Sequence, residues 1–245
     1  MNEQTKIAVF GGGRWARALL GVFLKNTDSS ILYDVYTRHF AEDMRLWADK
    51  NAVGCRVFVT DGTADFLDVK YLAAVVANAA SDHKESAERA LAAKVPVLVE
   101  KPMTPSLAET AELIESAKLN NTLLVSSWVF MHAAYIDNFI NHIEDVDDVQ
   151  EVYFIWTDEF DASRHGERKR FDSSIPIFKD VIPHVMSILS MILKSQVFEF
   201  KDCRVSRGGS CVEISVFTSN IKCNLTLERN ATKRRRKIFV KGKKD

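Results

Sequence analysis

The 245-residue sequence carries no excess charge of either sign: Lys plus Arg and Asp plus Glu number 33 each. Without a global field, nothing draws the chain at long range to nucleic acid or to an anionic membrane, and neither is expected as a partner. Cysteine is scarce. Cys55, Cys203, Cys211 and Cys223 show no CxxC pairing and no histidine at zinc-finger spacing, which favours free thiols in a reducing compartment over a metal or disulfide framework. Long hydrophobic runs are missing too. The most apolar stretches, 71–80 and 123–136, are too short or too interrupted by Asn, Ser and His to supply the roughly 20 residues a bilayer span requires. The polar start, residues 1–6, leads directly into a strand-like segment with no room for a signal peptide, so a cytoplasmic location is expected. The N-x-T sequons at Asn120, Asn224 and Asn230 are discounted as glycosylation sites on that ground.

No repeat or low-complexity tract is evident. The one biased stretch, 233–244, is dense in Lys and Arg. It reads as a polyanion-binding tail or, preferably, as an exposed edge strand whose basic residues discourage edge-to-edge pairing.

What is present is 47% hydrophobic residues in an ordered pattern, enough for a packed core. Up to residue 128, β-type runs (6–10, 31–36, 57–59, 73–77, 96–99, 123–127) alternate with helical periods (15–25, 41–51, 82–93, 107–119). That alternation predicts an α/β, doubly wound parallel sheet of the Rossmann type. Ser106 with Glu109, and more loosely Asp82 with Glu85, have the spacing of a capping box. A second domain, 129–245, is expected to be smaller and α+β. Its helices are predicted at 133–143 and 183–193, and a polar loop covers 162–174. Its strands are predicted at 151–158, 198–205, 211–218, 223–228 and 237–240, mostly antiparallel, with Gly208 and Gly209 in a turn.

The segment Phe10-Gly11-Gly12-Gly13-Arg14-Trp15-Ala16 places a G-x-G-x-x-A pattern directly after a strand and at the mouth of a helix. Gly11 would permit the tight turn, Gly13 would let backbone approach a pyrophosphate, and Ala16 would allow close helix packing. The phosphates would rest on the free N–H groups of the helix start. A carboxylate at the end of the second strand would select NAD. Here that strand ends in Thr37 and Arg38, with Asp34 three residues too early. A hydroxyl and a guanidinium suit a 2′-phosphate, so NADP(H) is expected over NAD(H).

The run Ala74-Val75-Val76-Ala77-Asn78-Ala79-Ala80-Ser81-Asp82-His83, followed by Val97-Leu98-Val99-Glu100-Lys101-Pro102, resembles the Gfo/Idh/MocA oxidoreductase family (glucose-fructose oxidoreductase, inositol dehydrogenase and relatives). The resemblance covers essentially the first half of the chain. It implies that Gly11, Gly13, Arg14, Trp15, Thr37, Arg38, Asn78, Ala79, His83, Glu100 and Lys101 bind the cofactor. It also implies that Asp180 and His184, an Asp and a His four apart, line the substrate site with Lys101.

The chemistry asks for these residue types independently. Oxidising an alcohol needs a base near neutral pKa (His184), a cation for developing alkoxide charge (Lys101) and a carboxylate to orient the imidazole or grip a hydroxyl (Asp180). Each has a structural alternative: Lys101 as a surface charge, Asp180 as the cap of a helix with Pro183 in its first turn, His184 as a core histidine. His83 is expected to shape the nicotinamide-side loop rather than to ionise. No histidine spacing argues for a metal.

The pattern departs from the family at 174–179, where glycines are usual, at 128–135, and in the short C-terminal domain. The leading expectation is an NAD(P)-dependent oxidoreductase of a sugar, cyclitol or nucleotide sugar. An imine or double-bond reductase of the same fold, or a catalytically degenerate dinucleotide sensor or scaffold, are the alternatives. The polar residues Asp158, Glu159, Arg164, His165 and Arg168 could recognise substrate hydroxyls or phosphate, and the loop 158–172 that carries them reads equally well as a solvated connection. The family implies a homo-oligomer, and the alternation Val212, Ile214, Val216, Phe217 is compatible with a buried sheet face, covered either by the chain itself or by a partner.

Overall fold

The computed structural model describes residues 4–243 except 65, 67, 68, 144, 145, 147, 162, 165, 166 and 169–174. The chain divides into two compact units, Met1–Ser127 and Trp128–Asp245.

In the first unit the strands are β1 (Lys6–Phe10), β2 (Leu32–Thr37), β3 (Val57–Asp61), β4 (Ala73–Val76), β5 (Val97–Val99) and β6 (Leu124–Ser126). They alternate with α1 (Arg14–Asn26), α2 (Ala41–Lys50), α3 (His83–Ala92) and α4 (Leu107–Leu119). All neighbouring strands run parallel, in the order β3-β2-β1-β4-β5-β6. The order reverses beside β1, so a crevice opens at the carboxyl ends of β1 and β4. The period of two along each strand sorts the core onto both faces. Ala8, Phe10, Ala74 and Val76 join the cluster with Phe66, Tyr71 and Leu91, whereas Val9, Val75 and Ala77 face Leu20, Met44 and Tyr33.

The predicted caps differ in detail. Ser106 and Asp82 do sit at helix N-caps, but neither side chain makes the capping hydrogen bond. Thr104 does related work: its hydroxyl donates to the Ser106 carbonyl (2.5 Å) and accepts from the Ser106 N–H (3.3 Å). A 3-10 turn, Ala80–Asp82, precedes α3 and gives Asp82 a near-helical backbone, which removes the extended geometry a capping box needs.

The second unit contains α5 (Ala134–Ile143), β7 (Glu151–Glu159), the short pair β8 (Ser163–Arg164) and β9 (Glu167–Arg168), and α6 (Ile177–Leu193). The strands β10 (Glu199–Ser206), β11 (Cys211–Thr218), β12 (Ile221–Ala231) and β13 (Arg235–Lys241) follow. Its sheet runs β10-β11-β12-β7-β13, antiparallel except for β12 beside β7. Phe154, Trp156, Val212, Ile214, Val216, Leu225 and Leu227 pack with α6 residues Ile177, Val181, Val185, Ile188 and Leu189 in one core. Val212, Ile214 and Val216 are thus interior residues. The alternation left open whether the chain itself or a partner buries this face, and at these three positions it is the chain's own core.

α6 corrects the predicted helix start. It begins at Ile177, not at Pro183, and Pro183 lies inside it. The proline removes one N–H donor, yet five α6 residues from Ile177 to Leu189 are anchored in the core, and that packing carries the helix through the break. Asp180 therefore belongs to the first turn of α6 rather than capping a later helix. The basic run forms β13 at one edge of the sheet, with Arg235, Lys237 and Lys241 exposed. The turn predicted at Gly208 and Gly209 is present, both residues at positive φ (62° and 88°). No helix among the described residues is long and apolar enough to cross a membrane.

Candidate functional site

The first cluster of predicted site residues lies along the carboxyl edge of the parallel sheet. Gly11 leaves β1 at φ 122°, its N–H donating to the Tyr36 carbonyl (2.8 Å). A Cβ on Gly11 would lie 2.7 Å from the Ala77 carbonyl oxygen and 2.8 Å from the Asn78 nitrogen, so only glycine lets β1 pass the end of β4. Gly12, the middle residue of the turn, is constrained by space as well. Its Cβ would meet Thr37 Oγ1 at 2.8 Å and Phe40 Cβ at 2.9 Å.

Gly13 is the opposite case: a Cβ there would meet nothing within 4 Å. Gly13 is the N-cap of α1, with no side-chain cap on the helix start. An open space beside uncapped N–H groups at a helix N-terminus fits a pyrophosphate. Arg14 opens α1, half-buried, and Trp15 beside it is exposed. Arg17 reaches back to the Gly12 carbonyl (3.1 Å).

At the end of β2, Thr37 is buried and its hydroxyl accepts the Phe40 N–H (3.2 Å). Arg38 donates to Glu85 Oε1 on α3 at 2.5 Å. Asp34 is committed elsewhere: it accepts from Lys6 Nζ (3.0 Å) and from the Tyr71 hydroxyl (2.9 Å). Burial, with the Tyr36 and Asp34 hydrogen bonds, holds the Tyr71 phenol protonated by pushing its pKa strongly upward.

After β4, the Asn78 amide donates to Ser86 Oγ (2.8 Å), while its Oδ1 is buried without a hydrogen-bond partner among the described residues. Ala79 is extended and accepts the Asp82 N–H (2.8 Å), closing the turn into α3. His83 is buried between two backbone carbonyls, Pro102 O (2.9 Å from Nδ1) and Asn78 O (3.3 Å from Nε2). It ties the loop after β4 to the loop after β5. Burial pushes its pKa below the ordinary histidine value, outweighing the opposing pull of those carbonyls.

Glu100 is buried after β5, with Oε2 accepting the Lys101 N–H (3.2 Å) and Oε1 lacking a partner among the described residues. Lys101 follows, half-buried, joined to Pro102 by a cis peptide bond. Two orphaned acceptors, Asn78 Oδ1 and Glu100 Oε1, thus end adjacent strands, and each can take a hydroxyl or amide donor from a bound ligand. Together with the Gly13 opening they fit a dinucleotide laid across this edge.

The second cluster lies in the other unit. Asp180 and His184 are four residues apart on α6, hence on one helix face. Asp180 Oδ2 accepts from Arg229 Nη2 on β12 (2.9 Å), and Arg229 Nη1 also holds the Ile175 carbonyl (2.9 Å). The His184 ring stacks on Trp156 (centroids 5.5 Å, 18° between planes) and takes the edge of Phe130 (4.8 Å, 90°). Over Trp156 lies the Arg236 guanidinium, 3.7 Å from the ring centroid and bonded to Asp158 Oδ1 (2.5 Å) and the Thr157 carbonyl (2.6 Å).

Asp158, a candidate for gripping substrate, is thus buried in an ion pair, and Glu159 accepts the Arg234 N–H (3.0 Å). The other candidates of that segment, His165 and the side chains of Arg164 and Arg168, lie outside the described residues.

Sequence reasoning missed Glu85, Phe130, Trp156, Arg229 and Arg236. Each meets its partner across 28 to 79 positions of sequence, so no local spacing announces it. All four cysteines are free thiols, and burial pushes Cys223 up to about 11. Among the described residues no group of three or more His, Cys, Asp or Glu could hold a metal ion.

Comparison with known proteins agrees with this architecture. KijD10, a 3-ketoreductase from Actinomadura kijaniata in complex with NADP and TDP-benzene, superposes with TM-score 0.77 at 16% identity, covering 98% of this chain and 74% of its own. An oxidoreductase from Agrobacterium radiobacter in complex with NAD+, L-tartaric acid and magnesium gives TM-score 0.75 at 17% identity over 98% and 72%. GenD2 from gentamicin A biosynthesis, in complex with NAD, gives 0.77 at 19% over 100% and 72%. No curated protein sequence matches the chain. The profile described as the Gfo/Idh/MocA oxidoreductase family, NAD-binding Rossmann fold, matches residues 5–127. That match spans the whole glycine turn and the Glu-Lys-Pro loop, and the chain belongs to the Gfo/Idh/MocA family of nicotinamide-dinucleotide oxidoreductases.

Proposed function

We propose that the chain is an NADP(H)-dependent oxidoreductase acting at a hydroxyl-bearing carbon of a sugar, cyclitol or nucleotide sugar. The observation that carries this reading is a single sheet edge that bears both the open Gly13 turn and the Glu100-Lys101-Pro102 loop. The bound nicotinamide would supply the acceptor or donor of hydride. The Lys101 ammonium would stabilise charge developing on the substrate oxygen, a contribution of several kcal/mol for a well-placed donor, about 3 in typical sites. His184 would take the hydroxyl proton. Its stacking on Trp156 and perpendicular contact with Phe130 fix the ring plane, which suits a positioned base. Asp180, held by Arg229, would orient that end of α6 or grip a second hydroxyl.

The preference for NADP(H) is supported by the residues at the end of β2. Asp34 is occupied by Lys6 and Tyr71 and is not available for a ribose diol, whereas Arg38 offers a guanidinium there. The substrate class is supported by the ligands of structural neighbours, a TDP compound in one and a hydroxy acid in another. Self-association is part of the same reading, and light scattering that returns a monomer mass would count against it.

The test is turnover. The protein is incubated with NADP+ and a panel of sugars, cyclitols and nucleotide sugars while reduced cofactor is followed by absorbance. The expected result is activity lost in Lys101→Ala and His184→Ala. Saturable cofactor binding with no turnover across the panel would favour a dinucleotide sensor, and reduction indifferent to His184→Ala would favour an imine or double-bond reductase.

A further inference from the structure

The guanidinium at the end of β2 is not held by the turn alone. Arg38 Nη2 lies 2.5 Å from Glu85 Oε1, a residue of α3 separated from it by 47 positions. The pair is accessible, with side chains 40% and 55% exposed. The stem of Arg38 is fixed from below: a Cβ on Gly62 would lie 2.7 Å from Arg38 Cγ, so the loop after β3 packs directly on it. That loop is pinned by the Gly62 N–H donating to the Thr37 carbonyl (3.3 Å) and by Arg89 holding the Gly62 and Ala64 carbonyls (2.6 and 2.5 Å). Arg89 itself lies over the Phe10 and Tyr36 rings (5.2 and 5.5 Å). The guanidinium end is therefore aimed, and its direct partner at that end is Glu85. Asp61, the last residue of β3, acts on Arg38 only through longer-range attraction, its carboxylate being engaged by the Thr63 N–H (2.7 Å) and hydroxyl (2.6 Å).

We propose that Glu85 is a specificity-determining residue that limits discrimination between NADPH and NADH at the Arg38 site. The inference rests on the reading of this edge as a dinucleotide site. A 2′-phosphate must displace the Glu85 carboxylate to reach the guanidinium and then bind beside it, like charge against like charge. A ribose diol brings no charge and instead finds in Glu85 a hydrogen-bond acceptor close to the end of β2, where the strand itself offers no free carboxylate. One ion pair thus opposes NADPH and favours NADH, and an exposed pair of this kind is weak enough to be rearranged by ligand.

The test is a fluorescence titration of the whole chain with NADPH and NADH, in wild type, Glu85→Gln, Glu88→Gln and Arg38→Gln/Glu85→Gln, the last compared with Arg38→Gln. Glu88 lies on the same helix and pairs with Lys84, so its variant repeats the charge change without touching Arg38. Glu85→Gln is expected to raise the ratio Kd(NADH)/Kd(NADPH) at least threefold, Glu88→Gln to leave it within twofold, and the Glu85 effect to be smaller when Arg38 is already Gln, because the ion pair is then absent while the like-charge repulsion remains. A ratio changed by less than twofold in Glu85→Gln, or an equal change in Glu88→Gln, overturns the proposal. The reading of the cofactor fails separately, if wild type binds NADH as tightly as NADPH, because the shift caused by Glu85→Gln is measured relative to whichever starting ratio is found.

Discussion

The two units build their candidate sites from different materials. Along the edge of the Rossmann sheet the working parts are backbone: positive φ at Gly11, an uncapped helix start at Gly13, carbonyls clasped by His83. On α6 they are side chains held by other side chains, Asp180 by Arg229 and His184 by Trp156, Phe130 and, one ring away, Arg236. A backbone site needs particular small residues at fixed offsets, and those are visible in a single sequence. A side-chain site needs partners from distant strands, and only the folded sheet brings them together.

The largest effects should come from the side-chain site and its counterpart on the first unit. His184→Ala and Lys101→Ala are expected to lower kcat by about 10²- to 10⁴-fold, the usual worth of a positioned proton carrier or charge stabiliser. His184→Ala should leave the dinucleotide Kd unchanged, because the residue contributes nothing to the turn. A loss of cofactor affinity in that variant would break the separation between the two sites.

Two glycine substitutions sharpen the backbone half of the comparison. Gly11→Ala places a methyl against the Ala77 carbonyl in a backbone that L-residues rarely adopt, and a cost of about 2 to 4 kcal/mol in unfolding free energy is expected. Gly13→Ala meets no atom. Its stability should fall by less than about 1 kcal/mol, while the dinucleotide Kd rises about tenfold or more, which is about 1.4 kcal/mol. Denaturant unfolding and titration on the same samples separate the two outcomes, and equal destabilisation of both variants would contradict the assigned roles.

These contrasts explain what was legible beforehand. The alternation of strand and helix, the turn at Gly11 and the strand-end position of Thr37 and Arg38 follow from local periodicity and spacing, and the structure has them. Asp34 was recognised as misplaced for a ribose, but its engagement with Lys6 and Tyr71 was not foreseeable, since Tyr71 is 37 positions away. The start of α6 was misplaced because Pro183 reads locally as a first-turn residue, while the burial of Ile177 and Val181 that extends the helix is a tertiary fact. The pairs Arg38–Glu85 and Asp180–Arg229 escaped for the same reason.

Smaller effects test the supporting contacts. Arg229→Met removes the partner of Asp180 from a position 13% exposed, and a loss of about 2 kcal/mol is expected in denaturant unfolding. Asp180→Asn should cost less, because the asparagine amide oxygen can still accept from Arg229 and the Ile175 carbonyl keeps its guanidinium donor.

The pH dependence of His83 is smaller still. Its folded-state pKa is lowered by burial, so below about 6.5 the unfolded chain binds more protons and stability falls as pH drops from there toward the depressed value. Above that window the contribution is full. In His83→Gln this component of acid sensitivity should disappear, and an unchanged slope of stability against pH below about 6.5 would show that the imidazole is not held in the neutral form.

The claim on which the rest depends is that the Gly11–Gly13 edge binds a nicotinamide dinucleotide. Titration of wild type and Gly13→Ala with NADPH and NADH, followed by nicotinamide fluorescence, tests it most directly. The account predicts saturable binding in wild type, tighter for NADPH, and affinity reduced at least tenfold in Gly13→Ala with the fold intact. Saturable binding that is unaffected by Gly13→Ala, or no saturable binding of either dinucleotide, would contradict it.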